Sequence, residues 1–389
     1  MFKQSLIWLL LLVLFPALGG CPAGTKQKPL PPLFYFAFAM ETREAPSFLI
    51  TDDFNRDGKL DLVVTNSGDH SFSFYKGQGD GTFQEQKIFK TGHDPICVVA
   101  ADFNNDGYKD LAELNYSDQT IRIFLNTRLG SFIPTKQVIE PGKVPINLTA
   151  GDFNEDGFPD LAVTMRYHKV VIILGNGNGY FGEPVPLPVN GQPTALVVGD
   201  YNHDGHVDVA IALAGSGNRG VQILWGAGDG TFEVSKMFKG GGQPLTLANI
   251  DANGDGFDDL VSSSNVLHSM TMTMNNKDKT FSALKDFASG NFPKYVAVAD
   301  FTGDGNLDLA VSNSTDDMIS VSLGRGDGTF LYPPIYHAVE EHPQGIATGD
   351  FNGDGLIDLA ISCRDKRSID ILLKKNMVNP DPNAPPAKA

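Results

Sequence analysis

Seven short loops of the form Asp-x-Asn-x-Asp-Gly-x-x-Asp carry most of the recognisable chemistry of this 389-residue chain. The first sets Asp53, Asn55, Asp57 and Asp61 around a turn that Gly58 permits, and the backbone carbonyl of Lys59 adds a further oxygen. The same positions recur as Asp102, Asn104, Asp106 and Asp110, then as Asp152, Asn154, Asp156 and Asp160, and again as Asp200, Asn202, Asp204 and Asp208. Three more follow: Asp251, Asn253, Asp255 and Asp259; Asp300, Thr302, Asp304 and Asp308; and Asp350, Asn352, Asp354 and Asp358. A donor set made only of carboxylate, amide and carbonyl oxygens suits calcium, whereas zinc or copper would want the imidazole or thiolate that these loops lack. We therefore expect up to seven calcium ions. The twelfth position of the first loop is Val64, inside the apolar run Leu62-Val63-Val64, where a helical EF-hand would place a bidentate Glu. The loop thus joins two strands.

Asp, Asn and Gly also make good turns, but turn chemistry alone does not demand three carboxylates at fixed places in seven copies. Charge agrees with a metal. The three acidic positions hold 21 aspartates in all, against a formal net charge of −16 for the chain, and unneutralised carboxylates so close together would repel one another. No basic stripe interrupts this balance, which argues against a nucleic-acid partner.

The loops begin 49, 50, 48, 51, 49 and 50 residues apart, a period that signals one supersecondary unit repeated as a propeller or solenoid. In the second copy, Ile96–Ala101 reads as a first strand, Leu111–Leu114 as a second, Thr120–Leu125 as a third and a more polar stretch near Pro134–Ile139 as an outer strand. Pro46, Pro95, Pro145, Pro193, Pro244, Pro293 and Pro343 mark the start of each copy. Four antiparallel strands repeated seven times predict an all-β, seven-bladed β-propeller. Between the third and fourth strands lies Gly79-Asp80-Gly81-Thr82-Phe83, repeated at Gly228–Phe232 and Gly326–Phe330 and degenerate in the copies ending at Phe132, Phe181 and Phe281. Its Asp-Gly is a hairpin signal and its Phe a core plug. The seventh copy stops after its third strand, Ser368–Leu373, while Phe34–Met40 precedes the first; that N-terminal strand is expected to join the last blade and close the ring.

The acidic loop and the Gly-Asp-Gly-Thr-Phe turn resemble the FG-GAP/VCBS repeat of integrin α-subunit heads and many bacterial surface proteins. The resemblance covers residues 33–377 and implies a calcium-bearing propeller that recognises partners. Thr302 in the sixth loop and Ala252, which stands where most copies have an aromatic, depart from the pattern.

Lys3, the apolar run Leu6–Phe15 and Leu18-Gly19-Gly20-Cys21 resemble a bacterial lipoprotein signal. That resemblance implies a signal peptide over residues 1–20, lipid on Cys21, a Pro-rich tether over residues 21–32 and an exported protein anchored at the outer membrane or cell surface. Residues 378–389 are expected to form a disordered Pro-rich tail. Cys97 and Cys363 fall in non-neighbouring blades and are read as buried thiols with no disulfide.

The face opposite the acidic loops, built from the turns between second and third strands and from the blade connections, varies from copy to copy. Tyr116, Arg166, Tyr167, His168, Lys169, Arg219, Phe292 and Arg364 are the ligand-face candidates, with Arg166–Lys169 foremost. The expected function is a calcium-stabilised, membrane-anchored monomer that recognises a protein or glycan there. A scaffold subunit of an envelope complex is the alternative. A polysaccharide lyase or hydrolase is a weaker one, because there is no Gly-x-Ser-x-Gly, no His-Glu-x-x-His and no phosphate-cradling loop before a helix.

Overall fold

The computed structural model describes residues 30–375 other than 129, 216 and 218. The segments assigned to the signal peptide, Cys21 and the Pro-rich tail therefore lie outside the described residues. Among the described residues there are strands and turns but no helix, arranged as seven antiparallel sheets. The first strands of blades 1 to 7 are Pro46–Asp52, Pro95–Ala101, Pro145–Gly151, Gln192–Gly199, Pro244–Ile250, Pro293–Ala299 and Pro343–Gly349.

Each second strand has strands on both sides and neighbouring blades over both faces, and this explains why its sequence is almost continuously apolar. Asp61–Asn66 and Asp110–Asn115 are buried at every position, whereas the outer strands Lys87–Lys90 and Val185–Pro188 are largely exposed. Successive side chains alternate between neighbours, as a pleated strand requires. Leu62 and Val64 pack with Phe351 and Ile369 of blade 7, while Val63 packs with Val98 and Leu111 of blade 2.

The outer strand of blade 7 is Phe34–Glu41, hydrogen-bonded antiparallel to Ser368–Lys374 from the other end of the described chain. The outer strand of blade 5 is broken into Phe281–Ala283 and Phe287–Ala288, both paired with Ser269–Asn275. The four-strand blade is kept with its outer edge in two pieces, after a turn in which Gly-Asp-Gly-Thr-Phe has become Lys-Asp-Lys-Thr-Phe; in blade 4 the outer strand Phe232–Val234 is likewise followed by a separate bridge from Phe238 to Val221.

Blades are joined by aromatic pairs that the turn motif supplies. The Phe that ends the turn stands edge-on to the second residue of the preceding blade's acidic loop, in Phe54–Phe132, Phe103–Phe181, Phe153–Phe232 and Tyr201–Phe281 at centroid distances of 5.8, 5.5, 5.6 and 6.1 Å. Phe351–Phe83 continues the series from blade 7 to blade 1 at 5.6 Å, and Phe301–Phe34 does so from blade 6 to blade 7 at 5.5 Å. Each such pair contributes about 0.5–1.5 kcal/mol beyond its buried area. The second glycine of the turn adds a backbone bond across the same junction, from the Gly81, Gly179 and Gly230 N–H groups to the carbonyls of Phe351, Phe103 and Phe153 at 2.8, 2.8 and 2.9 Å. In blades 2 and 5, where the first glycine of the turn is replaced by Arg128 and Lys277, Asn126 and Asn275 Nδ2 reach Phe54 and Tyr201 O instead, at 2.8 and 2.7 Å. Ala252 leaves Phe330 without an aromatic partner in blade 5's acidic loop, and Phe330 stacks on Phe287 at 4.8 Å.

Candidate functional site

The acidic loops are ordered by their own carboxylates. Asp53 accepts the N–H groups of Asp57 and Gly58 at 3.0 and 2.7 Å, and Asp57 accepts that of Lys59 at 3.1 Å. The bond from the loop glycine to the first aspartate recurs in all seven copies. It depends on a left-handed backbone at that glycine, with φ of 80° at Gly58 and 91° at Gly205.

The ninth position has a second role that its spacing alone does not disclose. Asp61, Asp110, Asp160, Asp208, Asp259, Asp308 and Asp358 are fully buried. The Oδ1 atom of each accepts a backbone N–H from the far end of the third strand, from Gly77, Asn126, Gly175, Gly226, Asn275, Gly324 and Lys374 respectively, at 2.7–2.9 Å. In six blades Oδ2 accepts the N–H of the loop's second residue, and in the first it accepts Asn55 Nδ2 at 2.9 Å. Each of these aspartates therefore ties its loop to the end of the third strand. Burial is the main cause that pushes all seven up to about 6; the first and fifth aspartates of the same loop add repulsion, and the N–H donors oppose the rise.

Three carboxylates thus repel one another in every loop, and each hydrogen-bonded oxygen keeps a second lone pair. This donor set fits a hard cation. Among the described residues no group of three or more Asp, Glu, His or Cys side chains is already arranged as a cage, since the carboxylates hold N–H groups instead. Neighbouring cations meet part of the charge: Lys76–Asp57 at 2.9 Å, Arg128–Asp106 at 3.4 Å, Lys277–Asp255 at 3.1 Å and Lys279–Asp204 at 3.7 Å.

The opposite face is held by a second system of latches. Five blade connections end in a residue with positive φ before the boundary proline: Ala45, Asp94, Val144, Phe292 and His342, at 52–59°. The turns between second and third strands pin them. The N–H groups of Ser67, Tyr116, Arg166, Ser314 and Arg364 donate to the carbonyls of those five residues at 2.9–3.1 Å. Side chains add to this: the Asp94 and Phe292 N–H groups donate to His70 and His268 Nδ1, both at 3.1 Å, and that of His342 donates to Asp317 Oδ1 at 2.9 Å. Asp118 binds the His93 ring at 2.8 Å, Asp316 binds Asn291 Nδ2 at 2.7 Å and Asp365 binds the His342 ring at 2.6 Å. Many charged residues of this face are therefore committed to holding connections.

The ligand-face candidates sort accordingly. Arg219 spends Nε and Nη1 on the carbonyls of Gly215 and Gly242, both at 3.0 Å. Tyr116 is half-buried and Lys169 likewise, while Arg166, Tyr167 and His168 stand exposed, Tyr167 at 62 %. Phe292 and Arg364 are brought together with Lys294, Ser314, His342, Gln344 and Asp365 around a cavity of about 410 Å³ at the mouth between blades 6 and 7. The Arg166–Lys169 turn of blade 3 does not line it.

Lys294 and Gln344 were not singled out from sequence, although a signal was present. The residue after the boundary proline is Ser47, Ile96, Ile146, Thr194, Leu245 or Gln344 in the other blades, so Lys294 is the charged exception. Its ammonium takes part in no hydrogen bond or ion pair among the described residues, and burial together with the nearby Arg364 guanidinium lowers its pKa. Gln344 is buried, and its Nε2 donates to Ser314 Oγ at 2.9 Å.

The family model described as FG-GAP-like repeat matches residues 53–113, 152–211, 204–262, 251–311 and 300–361, together well over half of the chain. No curated protein matches the sequence. Among solved structures, BBS1N in complex with ARL6DN is similar at a TM-score of 0.65 and 13 % identity over 90 % of this chain and 99 % of that one. An Agrocybe aegerita lectin that recognises non-reducing terminal N-acetylglucosamine is similar at 0.56 and 21 % identity, over 75 % and 80 % of the two chains. Hydrazine synthase of Kuenenia stuttgartiensis gives 0.60 and 13 % identity, over 85 % and 96 %. At these identities the likeness is one of fold.

Proposed function

The chain belongs to the FG-GAP-like repeat family, and from that premise we propose that it is a calcium-stabilised, membrane-anchored extracytoplasmic binding module that recognises a protein or glycan through the face opposite its acidic loops. The carrying observation is the unspent chemistry of that face: an exposed Arg166-Tyr167-His168 turn, and a cavity in which Lys294 and Arg364 have no acidic partner. The acidic loops, in contrast, satisfy themselves seven times over. Calcium would be held by the first, third, fifth and ninth side chains of each loop. It would neutralise the repulsion among their carboxylates, which gives it a structural role. Two propellers of this fold are partner-bound or sugar-recognising in their own right, BBS1N with ARL6DN and the fungal lectin, and this supports recognition as the use of the scaffold.

The test is a binding screen of the full-length chain in detergent against glycans and extracellular proteins, with calcium and with chelator. The reading expects a ligand whose binding is weakened by substitutions among Arg166, Tyr167, Phe292 and Arg364. It also expects acidic-loop substitutions to act only through the melting temperature. Binding that tracks the acidic loops in a folded protein overturns it.

A further inference from the structure

The cavity between blades 6 and 7 contains a charge imbalance that the fold does not require. Lys294 stands where every other blade carries a neutral residue, half-buried and beside a second cation, Arg364. Like charges brought together on a partly buried wall repel one another, and an anion that joins them relieves the repulsion. The one carboxylate on the lining, Asp365, bonds the His342 ring through Oδ2 at 2.6 Å, and among the described residues it forms no ion pair with either cation.

The remaining walls carry a different chemistry. Gln344 is held by its bond to Ser314 Oγ, and its Oε1 has no described donor, so an amide acceptor and a hydroxyl face the cavity. Phe292 supplies an aromatic wall whose backbone is fixed from both sides, its N–H donating to His268 Nδ1 at 3.1 Å and its carbonyl accepting the Ser314 N–H at 3.1 Å. The φ of 55° that this imposes on an aromatic residue is a strained conformation, maintained by those two bonds. A volume of about 410 Å³ admits one or two sugar rings and is small for a folded protein surface.

Resting on the recognition reading above, we propose that this cavity binds a carboxylated sugar, a uronate unit, with its carboxylate on Lys294 and Arg364, a ring face on Phe292 and hydroxyls at Gln344 and Ser314. The pairing is charge-assisted on both cations, which suits a planar carboxylate better than a neutral hydroxyl. A peptide carboxylate would satisfy the cations but would leave the aromatic wall and the amide without a matching group.

The test uses the full-length chain in detergent with calcium, titrated by calorimetry with digalacturonate, with its neutral counterpart digalactose and with a diglutamate peptide. Digalacturonate is expected to bind at least ~10-fold more tightly than either comparison ligand. Lys294→Met and Arg364→Gln should each weaken it by ~10-fold or more. Lys294→Met should also melt at the same or a higher temperature, because a half-buried unpaired cation is removed while volume is kept. Equal affinity for the neutral sugar, or indifference to both cation substitutions in folded protein, overturns the site; a preference for diglutamate overturns its assignment to sugar. If the broader screen finds a ligand that ignores Lys294 and Arg364, the cavity proposal fails and the recognition reading survives. If the folded, calcium-loaded protein binds nothing in either experiment, both fail.

Discussion

The two faces of this propeller are built from the same blades and differ in what they repeat. On the acidic-loop face, seven copies place the same carboxylates on the same backbone donors, and the ninth aspartate of each ties its loop to the end of the third strand. On the other face the latch positions recur but their residues vary: His70 and His268 cap a connection with an imidazole, Asp317 with a carboxylate. Repetition marks what every blade needs in order to fold. Departure from it, as at Lys294, marks what one place on the ring was free to become.

The comparison is broken most severely by removing the metal. At free calcium ten times Kd each site would contribute about 1.4 kcal/mol, so seven approach about 10 kcal/mol, comparable with the whole stability of a domain. We expect a chelator to lower the melting temperature by well over 10 °C and to broaden the transition, as read by calorimetry on the full-length chain. An unchanged melt would remove calcium from the account and leave the hydrogen bonds to hold the loops alone.

A sharper cut separates the two roles within one loop. Asp308→Ala strands the N–H groups of Gly324 and Phe301, which are bonded at 2.8 and 2.9 Å. It should cost about 2–4 kcal/mol in chelator and about 1.4 kcal/mol more when calcium is present, because a ninth-position ligand goes with it. Asp304→Ala removes a carboxylate that accepts the Asn306 N–H at 2.9 Å. Its cost should be below about 1 kcal/mol in chelator and rise by about 1.4 kcal/mol when calcium is present. Equal, calcium-independent costs would show that the fifth position is only a turn residue.

A titration isolates the junction where the N-terminal strand meets blade 6. His337 is buried against the Phe34 ring at 5.4 Å, and burial, aided by Lys375 and Lys374, lowers it to about 4. The neutral ring is therefore the folded form. Its contribution is intact above the unfolded value of about 6.5 and is lost as pH falls toward 4, where the loss is on the order of 3 kcal/mol. His337→Leu should flatten that part of the acid limb in denaturant melts, and an identical limb in both proteins would contradict it. The smallest effect is expected at blade 3. Arg166→Ala and Tyr167→Ala should each change stability by less than about 0.5 kcal/mol, since these side chains are exposed and absent from the latches. A larger loss would place that turn in the fold and not on a free surface.

Most of the fold was legible because its signals are local and repeated. The apolar second strands, the boundary prolines and the loop glycines each report a backbone requirement at a fixed offset, and the structure meets them in all seven blades. The Phe of the Gly-Asp-Gly-Thr-Phe turn was readable as a plug, yet its partner lies in the preceding blade, a contact that periodicity alone does not specify. The broken outer strand of blade 5 was missed, because the turn signal ends at Phe281 and the interruption lies beyond it, between Ala283 and Phe287. At the site, Phe292 and Arg364 were legible as variable residues on a variable face. Lys294 was not, because it sits inside a strand and becomes notable only when aligned with its six neutral counterparts. The dual role of the ninth aspartate was hidden for a similar reason: metal ligation and strand clamping both call for a carboxylate at the same position.

The most direct test of the central claim is calcium stoichiometry, by equilibrium dialysis and elemental analysis of the full-length protein, with the Asp304→Ala chain measured beside it. The account predicts several ions per chain, up to seven, and one fewer in the variant. A folded protein that retains no calcium at millimolar free ion would contradict it.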